Sequence, residues 1–145
     1  MWGGGVADGV MEATTKQARL LLTAAGGSGH VEPLLPLARA AAGRGHAVAF
    51  AVRPWMMPLV EAAGFAAFAA GSDAGLRPVR RPLAPVDLDK EMRGFGAGFG
   101  GRIARERARD LLPLCAAWRP HLLVCEETDF GAMVAAERLR LPCAT

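Results

Sequence analysis

The chain has 145 residues, 52% hydrophobic and 21% charged, which suits one packed domain and excludes a disordered polymer. Its net charge of +3 has no interleaved aromatic platform, which argues against a nucleic-acid partner. No apolar run reaches the length of a membrane span.

Met1 to Gln17 is rich in Gly, Ala and Thr. It lacks the basic-then-apolar order of a signal peptide, so it reads as a disordered leader ahead of a single domain over 18–145. Arg19 to Ala24 is a short apolar run ended by glycines, as in a buried parallel strand. Val31 to Ala42 has helical apolar spacing at Leu34, Leu35, Leu37, Ala38 and Ala41. Pro33 and Pro36 fall in its early turns, where a missing donor costs least. Ala47 to Val52 predicts a second strand, Pro54 to Ala63 a helix, and Phe65 to Ala69 a third strand. Arg44 and Arg53 read as surface charges, and His46 as a strand-entry residue.

Gly71 to Gly101 breaks the rhythm with prolines and glycines, so a long functional or partly disordered connection is expected there. It includes the basic cluster Arg77, Arg80 and Arg81. Arg102 to Trp118 predicts an amphipathic helix. Its Arg102, Arg105, Arg107 and Arg109 alternate with Glu106 and Asp110, the pattern of a solvated face. His121 to Cys125 predicts a fourth strand, Asp129 to Leu139 a helix capped by Asp129 or Thr128, and Leu141 to Thr145 a fifth strand. Strand–helix alternation of this kind gives an α/β, Rossmann-like, doubly wound parallel sheet. The sheet is expected to be one or two strands short of completion.

Cys115, Cys125 and Cys143 have no CxxC spacing and apolar neighbours, so buried free thiols in a reducing cytoplasm are expected. With His30, His46 and His121 scattered, no metal site is expected.

The turn Gly26-Gly27-Ser28-Gly29-His30 joins the first strand to the first helix. In an open parallel sheet, ligands bind at the carboxyl ends of the strands where strand order reverses, and glycines let backbone approach a ligand. The turn is not a dinucleotide fingerprint, because residue 32 is Glu and Arg53 stands where an acid is needed. It is not a P-loop, having no lysine, nor a nucleophile elbow, because residue 30 is His. A histidine at a helix N-terminus should stay neutral and basic, which suits a general base, although such a residue can equally just cap the turn. Glu126-Glu127-Thr128-Asp129 follows the fourth strand. If the first and fourth strands adjoin, Glu126 lies beside His30 and can orient its ring; otherwise these acids are a solvated loop with a helix cap. Gly27, Ser28, Gly29, Thr128 and Asp129 are candidate substrate-binding residues around that pair.

Gly29-His30-Val31-Glu32-Pro33-Leu34-Leu35-Pro36-Leu37-Ala38, then Gly43-Arg44-Gly45-His46-Ala47-Val48 and Glu61-Ala62-Ala63-Gly64-Phe65, resembles the opening of the bacterial, UDP-glycosyltransferase-like GT-B enzymes that modify macrolides and other natural products. Arg119-Pro120-His121-Leu122-Leu123-Val124, with Glu126, Thr128, Asp129, Ala135 to Leu139 and Leu141-Pro142, resembles a later segment of the same family. The resemblance implies an N-terminal, acceptor-side domain whose C-terminal donor domain is missing from this chain, which alone would be inactive. It implies transfer of a hexose from a nucleotide-sugar co-substrate to a hydroxyl of a small hydrophobic acceptor, with inversion and no cofactor. His30 would be the base and Glu126 its supporting acid, where many relatives carry Asp. His121 replaces a common Asp and Arg140 a common Gly, both of structural consequence. Trp55, Met56, Met57, Phe95 and Phe99 fall where an apolar acceptor pocket, or plain core packing, is expected. Two other readings stand beside this one: a non-catalytic docking half of a split glycosyltransferase, and an unrelated Rossmann-like nucleotide-binding protein.

Overall fold

The computed structural model describes residues 16–74 and 82–145. Most of the leader, 1–15, and the cluster Arg77, Arg80 and Arg81 therefore lie outside the described residues.

Five parallel strands form one sheet in the order β3-β2-β1-β4-β5. They are β1 (Arg19–Thr23), β2 (Ala47–Val52), β3 (Ala66–Ala69), β4 (Leu122–Cys125) and β5 (Cys143–Ala144). Strand order reverses between β1 and β4, which pair with Leu21 opposite Leu123 and Thr23 opposite Cys125. This is the doubly wound arrangement, and it brings the ends of β1 and β4 side by side.

Both faces of the sheet are covered, which is why its strands read as continuous apolar runs. On one face Leu22, Phe50, Val52 and Val124 pack with Val31, Ala38, Met56 and Val60. These come from α1 (Ser28–Val31), α2 (Leu35–Gly43), the turn Pro54–Met56 and α3 (Met57–Ala62). On the other face Leu21, Ala49, Ala51, Leu123 and Cys125 pack with Leu111, Cys115, Ala132, Ala135 and Ala136. These come from α5 (Ala104–Trp118) and α6 (Phe130–Leu139). Burial pushes the Cys115 thiol up to about 11, so it stays protonated and inert near neutrality.

Four expectations are corrected. The stretch 71–101 is not one irregular connection: α4 (Leu88–Ala97) forms, capped by the Asp87 carboxylate accepting from Lys90 N–H at 3.0 Å. A π-helical turn, Gly98–Ile103, then leads into α5. Glycines and prolines masked a helical spacing of Leu88, Met92 and Phe95, all three of which are exposed in a helix that buries no residue. Secondly, Arg107 is not on a solvated face but fully buried. It lies on the stripe of Ile103, Leu111 and Cys115, the side of α5 turned to the core. Thirdly, Arg53 is fully buried rather than a surface charge: its Nε donates to Ala25 O at 2.7 Å and its Nη1 to Ser72 O. Burial first, then the neighbouring Arg107, lower its pKa from the ordinary guanidinium value. Fourthly, Cys143 is exposed rather than buried.

His46 and His121 each accept a backbone N–H through Nδ1, from Ala18 at 3.2 Å and from Arg19 at 2.9 Å. Both fasten the entry of β1. Arg119 and Arg140 end α5 and α6 in the left-handed region, at φ 52° and 53°. Glycine would fit both positions with less strain.

Candidate active site

Gly27 is the N-cap of α1 and makes no side-chain cap. Its carbonyl accepts from the N–H groups of His30 and Val31 at 3.0 and 3.3 Å. This tight first turn points the His30 ring back over Gly26. A Cβ on Gly26 would lie 2.1 Å from His30 Cδ2, so only glycine lets the ring sit there.

Across the β1–β4 seam, Glu126 N–H donates to Thr23 O at 2.9 Å, extending the strand pairing by one bond. That bond fixes the Glu126 backbone at the end of β1. Its carboxylate Oε1 lies 2.9 Å from His30 Nδ1. Thr128 donates to the same carboxylate twice, from N–H to Oε1 at 3.1 Å and from Oγ1 to Oε2 at 2.7 Å. The carboxylate is largely buried, with a side-chain exposure of 12%, while His30 keeps 34%. The acid is held and the ring is reachable. With Nδ1 facing the carboxylate, Nε2 is the nitrogen left for a ligand.

An open cleft of about 380 Å³ is lined by Gly29, His30, Pro33, Leu34, Cys125, Glu126, Glu127 and Thr145. A second, of about 350 Å³, is lined by Glu91, Gly94, Phe95, Gly98, Phe99, Arg102 and Ile103. Phe99 links the two, because its ring stacks on His30 at a centroid distance of 6.3 Å and an angle of 24°. Phe95 packs on Phe99 at 5.2 Å and meets Phe130 edge-on at 6.2 Å. The aromatic wall beside the histidine thus comes from α4 and the π-helical turn.

The structure separates the other sequence-derived candidates. Gly29 and Thr128 stand at the pair, one lining the first cleft and the other holding the acid. Ser28 is exposed on the turn. Trp55 packs under Gly27, where a Cβ would meet its Cη2 at 3.3 Å, and its backbone N–H donates to Asp73 Oδ1 at 3.3 Å. It lines neither cleft. Met56 is a core residue, 6% exposed, and Met57 packs against that core.

Asp129 is corrected from substrate-binding to structural, because it is fully buried and paired with Arg107. Arg107 Nε and Nη2 donate to its two carboxylate oxygens. Asp129 Oδ1 also accepts from Ala132 N–H at 3.2 Å, capping α6. The remaining donors of Arg107 reach Ala70 O at 2.8 Å and Ala51 O at 3.0 Å. One guanidinium therefore ties the ends of β2 and β3 to the turn that carries Glu126. Asp129 N–H closes that turn onto Glu126 O at 2.9 Å. Gly131 makes room for this, since a Cβ there would lie 2.5 Å from Ala104 O and from Arg107 Cβ. The sequence carried one signal for the clamp: Arg107 falls four residues from both Ile103 and Leu111, on the apolar stripe.

Gly26→Ala is expected to drive the His30 ring off Glu126 while the chain still folds. The check is the His30 Nδ1 proton signal in NMR; a signal unchanged in position would show that the ring has room to spare.

Among the described residues, no group of three or more His, Cys, Asp or Glu is arranged to hold a metal ion. Among them also, no helix is long and apolar enough to cross a membrane.

No family model matches the chain. It is 32% identical over 133 residues to an L-demethylnoviosyl transferase of Streptomyces niveus, covering 86% of this chain and 33% of that protein. It is 30% identical over 132 residues to a 4'-demethylrebeccamycin synthase of Lentzea aerocolonigenes, covering 88% of this chain and 31% of that one. The Streptomyces sp. SF2575 glycosyltransferase SsfS6, solved with thymidine diphosphate, superposes with a TM-score of 0.73 at 25% identity, covering 88% of this chain and 37% of SsfS6. By sequence and fold, the chain is a homologue of the bacterial natural-product glycosyltransferases of the GT-B fold, and it spans about a third of the length of the relatives it matches.

Proposed function

We propose that this chain is the N-terminal, acceptor-side part of an inverting glycosyltransferase, in which His30 is the base. The observation that carries the reading is the His30–Glu126 pair, 2.9 Å apart at the point where strand order reverses. In the proposed reaction, Nε2 of His30 takes the proton of an acceptor hydroxyl as that oxygen attacks the anomeric carbon of a nucleotide-activated hexose. The bond from that carbon to the diphosphate breaks on the opposite face, so configuration inverts and a nucleoside diphosphate leaves. Glu126 accepts from Nδ1–H, fixing the tautomer and stabilising the imidazolium that forms. A hydrogen-bonded carboxylate with little solvent does this better than an exposed one.

The acceptor is a small, largely apolar molecule with a hydroxyl, seated against Phe95 and Phe99 and over the turn Gly27 to Gly29. The donor is a nucleoside-diphosphate sugar, and thymidine diphosphate in SsfS6 makes a thymidine nucleotide the first to test. No cofactor or metal has a role in this reading, and the location is cytoplasmic. A docking role without catalysis finds no support in the site, because a scaffold has no use for an oriented histidine–carboxylate pair.

The test is transfer by the complete protein from a panel of nucleoside-diphosphate hexoses to small hydroxylated aromatic acceptors. A product whose anomeric centre is inverted relative to the donor is expected by NMR. Retention of configuration, or hydrolysis of donor with no glycoside formed on any acceptor, would overturn the reading.

A further inference from the structure

We propose that Arg53 is a positioning residue for His30: its buried guanidinium fixes the turn from Ala25 to Gly27 and so holds the imidazole against Glu126. What that position is worth in catalysis rests on the transfer reading above.

The His30 ring occupies the space where a Gly26 Cβ would stand, so it packs directly on that backbone and moves when the backbone moves. Ala24 N–H makes the last main-chain bond from the end of β1 to β2, to Ala51 O at 3.3 Å. Beyond it a side chain takes over. Arg53, the first residue after β2, donates from Nε to Ala25 O at 2.7 Å. The β1–β2 seam is thereby prolonged to the residue next to Gly26.

The other end of the guanidinium is anchored too. Nη1 donates to Ser72 O, and that segment is fixed to α5. Ser72 Oγ donates to Glu106 Oε2 and Gly71 N–H to Asp110 Oδ2, both at 2.9 Å. Glu106 and Asp110 stand one turn apart on that helix. Trp55 adds support from below, with its ring against Gly27 and its N–H on Asp73 Oδ1. Arg107 holds the Glu126 turn to Ala51 and Ala70, and Arg53 holds the His30 turn to Ala25 and Ser72. Each half of the pair is thus fastened by its own buried guanidinium.

Stability alone gives a poor account of Arg53. A cation taken out of water loses more than two neutral carbonyls return. Burial and then the neighbouring Arg107 disfavour its charge, and Glu106 and Asp73 offset only part of this. The fully buried carboxylate, Asp129, is taken by Arg107. Arg53 Nη2 is buried without a partner among the described residues. What the guanidinium supplies is two bonds in a rigid fork, one of them beside the residue that carries the His30 ring.

The experiment compares Arg53→Met, Arg53→Lys and the unaltered complete protein. It reads the His30 Nδ1–H signal by proton NMR, assigned by its loss in His30→Ala, together with kcat, KM and the thermal midpoint. Methionine fills the space without the charge or the donors. Arg53→Met is expected to fold with a midpoint little changed, while the Nδ1–H signal moves upfield and broadens by exchange with water. Its kcat should fall by about 10–10²-fold with KM little changed, the loss that a displaced catalytic group gives. Lysine can still reach Ala25 O but cannot hold Ser72 O in the same fork, so Arg53→Lys should recover part of the signal and part of the rate. A folded Arg53→Met with the signal and kcat of the unaltered protein would overturn the proposal, as would a fall in midpoint with the signal in place. Should Arg53→Met not fold, Arg53→Lys decides: an unaltered signal there, or failure of both variants to fold, assigns Arg53 to folding alone. His30→Ala keeps this outcome apart from that of the transfer reading. Full turnover in His30→Ala removes the base, yet the signal in Arg53→Met still tests the placement. Slow turnover in His30→Ala beside a normal Arg53→Met removes the placement and leaves the base.

Discussion

Replacing His30 with alanine in the complete protein is expected to slow glycosyl transfer by about 10²–10⁴-fold, the usual worth of a positioned general base. That is about 3–5 kcal/mol of transition-state stabilisation. The loss should fall on kcat, with KM little changed, because the ring is asked to take a proton only as the oxygen attacks. Stability should hardly move. His30 lies in the first turn of α1 and keeps a third of its side chain exposed, and alanine is a good helix former. A companion variant separates base from scaffold. Glu126→Gln preserves size and can still hydrogen-bond Nδ1, but it removes the charge that stabilises imidazolium and lets the wrong tautomer form. It should lower kcat in the same direction. Steady-state kinetics with one donor and one acceptor make the comparison. Turnover of His30→Ala at the unaltered rate would remove His30 as base, whatever the sheet topology suggests.

The sequence made the sheet legible because a parallel sheet covered on both faces writes its strands as apolar runs. Ala47 to Val52 appears with the bounds read from it, and the others differ by a residue or two at their ends. The pairing of β1 with β4 follows from the topology rule for a doubly wound sheet, and with it the meeting of the His30 turn with the Glu126 turn. Three things were not legible. The helix α4 buries no residue, and its Gly94 and Gly96 masked the helical spacing of Leu88, Met92 and Phe95, the last of which packs on Phe99 and Phe130. Arg53 and Arg107 looked like surface charges because burial of a cation is rare unless its donors find acceptors. Those acceptors are carbonyls at the ends of other strands, such as Ala25, Ala51 and Ala70, which have no signature in sequence. Asp129 looked like a ligand residue for the same reason: its partner is 22 positions away in the chain.

Arg107→Ala is expected to destabilise the domain by about 3–5 kcal/mol, because it leaves the Asp129 carboxylate buried without its counter-charge. The carbonyl of Ala70 loses its side-chain donor as well, which adds to the loss, while Ala51 O keeps the N–H of Ala24 at 3.3 Å. Against a net stability of about 5–15 kcal/mol for a domain of this kind, that is a large share. The thermal midpoint should fall by about 10 °C or more, measured by calorimetry or circular dichroism. The sign of the coupling identifies the cause. Arg107→Met alone should cost nearly as much as Arg107→Ala, although it fills the space better. Adding Asp129→Asn to Arg107→Met should restore part of the stability, since asparagine still caps α6 and no charge is left buried. Such a gain is a coupling energy in the sense of a double-mutant cycle. If the double variant instead loses the sum of the two single losses, Arg107 and Asp129 act independently, and the ion pair is not what holds the Glu126 turn to the ends of β2 and β3.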